Sequence, residues 1–265
     1  MYTLKEQLNK EKRYLDQVIE QTSQRLINTP EGDLRVSNGR GRIRYYHKIA
    51  GDGNAIKYEY ISNSNKELPM LLAQKSYDEK ILAKAKNKIR LVNNMLTNYD
   101  EHEFEKIYLS EHPARRAMIT PIEPTWDEFV KAWMSEPYTG KAFQEGTPLI
   151  ITDRGERVRS KSEKILADYF YHNNIPYKYE KPIFLKGVGW VYPDFTLLSQ
   201  KTRSEIYWEH AGMMDDPAYA QNFVRKIELY EYNGIFPGEQ LILTFETDKS
   251  VLNTKTIELM VNRYL

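Results

Sequence analysis

The sequence predicts an α/β fold: a mixed central sheet flanked by helices, behind an N-terminal helical arm that carries a β-hairpin. Three observations predict it. Two long stretches, 3–28 and 67–98, repeat apolar residues at helical spacing. Between them lie two short alternating stretches around a turn rich in Gly, Asp and Asn. From residue 157 onward, helix and strand patterns follow in the order α-β-β-β-α-β-α.

In the first helix, Leu4, Leu8, Leu15, Val18, Ile19 and Leu26 recur among charges. Residues 29–39, with Thr29-Pro30-Glu31-Gly32-Asp33 and Ser37-Asn38-Gly39, read as a breaker segment. The stretches Arg42–Lys48 and Ile56–Ile61, joined through Gly51-Asp52-Gly53-Asn54, predict a hairpin. The helix over 67–98 carries Leu68, Leu71, Leu72, Ile81, Leu82, Ile89, Val92 and Leu96, which suits antiparallel pairing with the first. Residues 99–125 are acidic and then proline-rich, as an inter-domain joint would be. Thr125-Trp126-Asp127-Glu128 has capping-box spacing and starts a short helix; 137–156 reads as irregular apart from Leu149-Ile150-Ile151. Then come helix 159–173, strand 177–185, strand 190–198 with Pro193-Asp194, and strand 205–210. A helix from Asp216-Pro217 to about 232 is stopped by Gly234, and strand 240–246 and a last helix through 257–264 follow. The expected division is a helical arm over 1–100, a linker with a short helix over 101–150, and a catalytic domain over 151–265.

The 265 residues contain no cysteine, which excludes disulfides and thiolate zinc sites and favours a cytoplasmic location. The N-terminus lacks an apolar signal core, and no window reaches the length of a membrane span, so no membrane partner is expected. The net charge of +1 hides an asymmetry. Residues 1–98 hold 18 Lys/Arg against 11 Asp/Glu, residues 99–150 hold 5 against 10, and residues 151–265 hold 15 against 16. A basic front half before a near-neutral second half suits one part that meets a polyanion and another that acts on it. A solvated lysine-rich helix would give the same balance.

Three acids stand out. Asp194 follows a proline beside Phe195, and Glu209 ends the apolar run Ile206-Tyr207-Trp208. On adjacent antiparallel strands, such residues have Cβ atoms about 4.5–5.5 Å apart, where two carboxylates repel unless a cation bridges them. Glu163, on the preceding helix, can add a third oxygen. Three converging carboxylates make a site for Mg²⁺ or Mn²⁺, most often used on phosphate esters. The plain alternative is a turn aspartate after proline and a solvent-facing glutamate on an edge strand.

The helix-borne Glu163, the Pro193-Asp194 pair and Glu209, in an α-β-β-β-α-β frame over about residues 157–247, resemble the PD-(D/E)XK (restriction-endonuclease-like) nuclease superfamily. The resemblance implies a Mg²⁺-dependent endonuclease acting on nucleic acid, DNA in preference to RNA. It implies that Asp194 and Glu209 bind the metal and that Glu163 orients or completes the site. One position departs: the family's lysine, two residues after the second acid, is here Ala211. Helical geometry offers a substitute. At about 100° per residue, Ala220, Phe223, Val224 and Ile227 define a buried stripe, Tyr219, Lys226 and Tyr230 a second stripe at its edge, and Arg225 points away. Lys226 is therefore the expected catalytic lysine. Two other readings keep the fold: a nucleic-acid-binding protein without catalysis, motivated by Ala211, and a scaffold subunit or homodimer assembled through the N-terminal helices.

Secondary candidates follow. Arg40, Arg42, Arg44, Tyr46 and Lys48 share one strand face, suited to phosphate contact and base stacking or simply to solvent. Arg157, Arg159 and Lys161 lead into Glu163, where cations sit poorly on helix-dipole grounds and could hold a phosphate backbone. His210 is expected on the face opposite Glu209, and Asp215 and Asp216 read as helix caps.

Overall fold

The structure, a computed structural model, describes residues 3–39, 41–51 and 55–265. Arg40 and Asp52-Gly53-Asn54, of the turn expected from the sequence, lie outside the described residues. The chain forms two compact units, Leu4–Glu101 and His102–Leu265. Of the stretch expected as a linker, 101–150, all but Glu101 falls within the second.

In the first unit, α1 (Leu4–Leu26) and α2 (Glu67–Asn98) pack through Leu8, Leu15, Val18 and Ile19 against Ala85, Ile89, Val92 and Leu96. They run antiparallel: Arg25, at the end of α1, comes within 3.9 Å of Asp78 in the first half of α2. Three strands form an antiparallel sheet in the order β1 (Asp33–Gly39), β2 (Arg42–Ala50), β3 (Ile56–Ile61). Strand β1 replaces the expected breaker. Leu34 and Val36 alternate as a strand requires, and Gly32 turns the chain into it at φ 83°. A Cβ at Gly32 would lie 2.3 Å from the Lys48 carbonyl, so only glycine fits. Lys75 of α2 donates to the carbonyls of Pro30 and Gly32 at 2.9 and 3.1 Å, holding this entry.

The second unit opens with α3 (Glu103–Ser110) and α4 (Pro113–Arg116), helices inside the stretch read as a joint. Glu105 accounts for the order there. It accepts from the Trp126 backbone at 2.6 Å and pairs with Arg203 at 2.9 Å. Helix α5 (Trp126–Ser135) begins on the expected capping box, with reciprocal Thr125–Glu128 bonds of 3.3 and 2.9 Å. A two-stranded ribbon, β4 (Ile150–Ile151) with β5 (Arg157–Val158), precedes α6 (Lys161–His172).

The central sheet has four strands in the order β11-β10-β9-β6: β6 (Tyr177–Tyr179), β9 (Phe195–Ser199), β10 (Ser204–Ala211) and β11 (Leu241–Phe245). Only the β10–β11 pair is parallel, and α7 (Pro217–Tyr232) connects those two strands. Two expected strands are each broken in two. The first stops at Glu180, which takes a left-handed φ of 48°; the second is interrupted at Pro193, which has no N–H to give a ladder. The freed pieces, β7 (Ile183–Leu185) and β8 (Gly189–Val191), pair as a separate hairpin.

Alternation along the strands builds two cores. Phe195, Leu197, Ile206, Trp208 and Ile242 meet Leu166, Ala167 and Phe170 of α6 and Ile257 of α8 (Thr254–Tyr264). Tyr207, Leu241 and Leu243 meet Ile227 and Tyr230 of α7 and Leu185 and Val191 of the hairpin. The sheet is thus covered on both faces. Phe170 is fully buried, its ring 5.3 Å from both Phe195 and Trp208, and truncating it to Ala would cost about 3–5 kcal/mol.

Candidate functional site

The β9–β10 register pairs Phe195 with Trp208. One step further, the same register sets Asp194 across from Glu209, on the face covered by α7. The Asp194 Oδ2 accepts the His210 backbone N–H at 2.7 Å, and its Oδ1 accepts no hydrogen bond from the described residues. Glu209 is 1 % exposed. Its Oε1 accepts from the Tyr230 hydroxyl at 2.6 Å, and Lys226 Nζ lies 2.7 Å from the carboxylate. Both partners come from α7, four residues apart on one side of the helix. Asp216 caps that helix, accepting from Ala218 N–H at 2.8 Å and Tyr219 N–H at 3.1 Å, with Pro217 in its first turn. Val224, expected in the buried stripe, is exposed; Phe223 and Tyr230 are the buried positions.

The electrostatics follow from a buried acid, Glu209, beside a half-buried acid, Asp194, and a partly exposed lysine, Lys226. Burial, and then the charge of Glu209, push the Asp194 carboxyl well above its ordinary range; Lys226 and the His210 N–H oppose this. Burial also raises Glu209, against the pull of Lys226 and Tyr230. Burial alone would lower Lys226, but Glu209 and Asp194 together outweigh it and hold the ammonium on. Burial and the neighbouring Glu209 raise the Tyr230 phenol, so it remains a donor. With both carboxylates ionised, the cluster carries one uncompensated negative charge. A proton or a cation would relieve that.

Glu163 does not join them as a third ligand. It lies on α6, against the opposite face of the sheet, where its carboxylate accepts the Arg159 backbone N–H at 2.8 Å and the Tyr179 hydroxyl at 2.7 Å. Its own N–H donates to the Ser160 cap at 3.1 Å. Its charge still reaches Asp194 and Glu209 and raises both. Among the described residues, no group of three or more Asp, Glu or His is placed to hold one metal ion. The expected three-acid centre is therefore a two-acid cluster with a lysine. The signal was present: Ser160-x-x-Glu163 has the same capping spacing as Thr125-x-x-Glu128.

The basic residues before α6 are also engaged. Arg159 forks onto Glu180 at 2.7 and 2.9 Å and donates to the carbonyls of Lys141 and Ala142. Arg157 donates to the Thr147 carbonyl at 2.7 Å, and both guanidiniums lie over the Phe143 ring. These two arginines anchor loops, and only Lys161 stands exposed. In the first unit, Arg42 and Arg44 are exposed on β2, and Lys48 pairs with Asp33 at 2.9 Å.

His210 does face away from Glu209. Its ring meets Thr244 Oγ1 and Glu246 at 3.0 Å each; Trp208 donates to the same Thr244 oxygen at 2.9 Å, and Ser162 donates to Glu246 at 2.5 Å. Burial lowers the His210 pKa against the opposing pull of Glu246, and the Glu246 carboxylate, an acceptor, takes a ring N–H at Nε2. This chain ties the end of β10 to α6, directly behind Asp194 and Glu209. Nothing in local sequence spacing announces it, because its members come from β10, from β11 and the residue after it, and from α6.

Neither a family model nor a solved structure matches the chain. It is similar to the uncharacterized protein MJ1519 of Methanocaldococcus jannaschii, 34 % identical over 120 residues, which cover 41 % of this chain. The match spans 10 % of that protein's length. No helix among the described residues is long and apolar enough to cross a membrane.

Proposed function

We propose that the His102–Leu265 unit is a metal-dependent nuclease that hydrolyses phosphodiester bonds in nucleic acid, with DNA as the first substrate to test. The observation that carries this reading is the cluster of Asp194, Glu209 and Lys226. Two desolvated acids face each other on adjacent strands, and one ammonium from the next helix reaches them. A four-stranded mixed sheet with helices before, within and after it supports the same reading.

Asp194 and Glu209 would hold Mg²⁺ or Mn²⁺. The bound ion would supply a Lewis acid and a lowered pKa for water beside the phosphate. The chain's own residues do the rest. The His210 N–H holds Asp194 through its Oδ2. The Tyr230 hydroxyl holds Glu209 in one rotamer. Lys226, 31 % exposed at its side chain, would be the residue placed to turn toward a phosphate oxygen. Hydrolysis joins a water oxygen to phosphorus and breaks the bond to one ester oxygen, which leaves with a proton. Lys226 would be the protonated group that steadies that oxygen.

The test is cleavage of labelled single- and double-stranded DNA by the full chain in Mg²⁺, Mn²⁺ and EDTA. Metal-dependent cleavage lost in both Asp194→Ala and Glu209→Ala supports the assignment; cleavage retained in both removes it. A second reading, nucleic-acid binding without hydrolysis, is favoured by one observation: Glu209 already has Lys226 and Tyr230 as partners. It predicts binding without turnover in either metal.

A further inference from the structure

The two faces of the three-stranded sheet of the Leu4–Glu101 unit differ: one holds the buried Ile61 and the half-buried Leu34, Tyr45, His47 and Ile49, and the other, open over most of its length, is unusual in content. The β1–β2 register pairs Asp33 with Lys48, Arg35 with Tyr46, Ser37 with Arg44 and Gly39 with Arg42. The β2–β3 register pairs Tyr46 with Tyr60 and Lys48 with Tyr58. Because cross-strand partners share a face, Arg35, Arg42, Arg44, Lys48, Tyr46, Tyr58 and Tyr60 all lie on one side. Leu34, Tyr45, His47, Ile49 and the buried Ile61 lie on the other, with the exposed Val36, Ile43, Lys57 and Glu59.

The open side combines four cations with three phenol rings, against one carboxylate, Asp33, which Lys48 pairs. Tyr58 is 43 % exposed and Tyr60 55 % exposed. The rings are ordered: Tyr46 and Tyr60 meet edge to face with centroids 5.7 Å apart, and the Arg35 guanidinium lies 4.6 Å above Tyr58. Rings left open on a strand face, braced by neighbours and bordered by arginines, offer flat surfaces for bases and charge for phosphates. A duplex hides its base faces in the stack, whereas an unpaired strand presents them.

We infer that this face binds single-stranded nucleic acid, with Tyr46, Tyr58 and Tyr60 stacking on bases and Arg35, Arg42 and Arg44 meeting phosphates. The inference uses no residue of the proposed cleavage site and holds whether or not the second unit hydrolyses anything.

The experiment is fluorescence anisotropy of the full chain with a labelled 20-nucleotide thymidine strand, and with a duplex of equal length, in EDTA so that no metal-dependent cleavage intervenes. The single strand should bind more tightly than the duplex. Tyr46→Ala with Tyr60→Ala should weaken single-strand binding roughly tenfold or more. Arg42→Ala with Arg44→Ala should weaken it and lower the slope of log affinity against log salt by about 1.4, near 0.7 per lost phosphate contact. Circular dichroism checks that each variant keeps the wild-type fold. No binding by the wild type at low salt, duplex binding as tight as single-strand binding, or folded tyrosine variants that bind as wild type would each overturn the inference.

Discussion

Lys226 on α7 places its ammonium 2.7 Å from the carboxylate of Glu209, a side chain buried in the middle of the second unit, while Asp194 stands across the strand pair from that same glutamate. One cation therefore serves two acids. Arg225, its chain neighbour, is exposed. Lys226→Ala should reduce turnover in saturating Mg²⁺ by about 10²-fold or more, the scale of losing one charge-stabilising donor. Arg225→Ala should leave turnover within about twofold. Single-turnover cleavage of a labelled oligonucleotide measures both, and the opposite ranking would remove Lys226 from the mechanism.

The two acids should respond differently to neutral isosteres. Asp194→Asn removes the charge that Glu209 repels, so in EDTA it should keep or slightly raise the melting temperature. Glu209→Gln removes the carboxylate that Lys226 bonds, leaving only the charge of Asp194 to balance the ammonium, and should lower stability by about 1–3 kcal/mol. Denaturant titration of both variants decides this; equal losses would mean that Asp194 and Glu209 do not share the ammonium as described.

The same crowding gives stability a pH dependence. Burial and the charge of Glu209 hold the folded-state pKa of Asp194 above the ordinary 3.8. Between that ordinary value and the raised one, the folded chain keeps a proton that the unfolded chain has released. Protonation therefore favours folding, and the contribution of this group falls as pH rises through the window. The stability advantage of Asp194→Asn over wild type in EDTA should accordingly be larger at about pH 8 than at about pH 5. Excess Mg²⁺ at the higher pH should stabilise the wild type more than the variant, since an ion held by the folded state alone adds to its stability. Thermal melts at two pH values, with and without Mg²⁺, read out both effects.

What the sequence made legible is what periodicity carries. Both long helices, the β2–β3 pairing, the Thr125 cap and the side of α7 that bears Lys226 and Tyr230 all follow from spacing alone. The breaks in the expected strands did not. Glu180 sits at a left-handed φ held from a distance by the Arg159 fork, and a glutamate gives no local hint of that. Strand β1 was hidden because glycine and proline before it read as a break, whereas its order comes from pairing with β2 and from Lys75. The partners of Arg157 and Arg159 are mostly backbone carbonyls of a preceding loop, and the Thr244–His210–Glu246–Ser162 chain spans several elements. Long-range satisfaction of polar groups leaves no period to read.

Glu163 separates a capping role from a ligand role. Its carboxylate takes the Arg159 N–H and the Tyr179 hydroxyl, and burial together with that acid raises the tyrosine pKa, keeping the phenol a donor. Glu163→Gln retains an acceptor oxygen but loses the charge. It should destabilise the chain by about 1 kcal/mol, on the scale of a weakened helix cap. Its charge also raises Asp194 and Glu209 without joining them, so the variant should weaken Mg²⁺ binding only slightly. Asp194→Asn, which removes a donor of the proposed ion, should weaken it by more than tenfold, the scale of one lost carboxylate interaction. Isothermal titration with Mn²⁺ on wild type and both variants makes the comparison. Equal losses in the two variants would return Glu163 to the ligand set and would require α6 to shift when the ion binds.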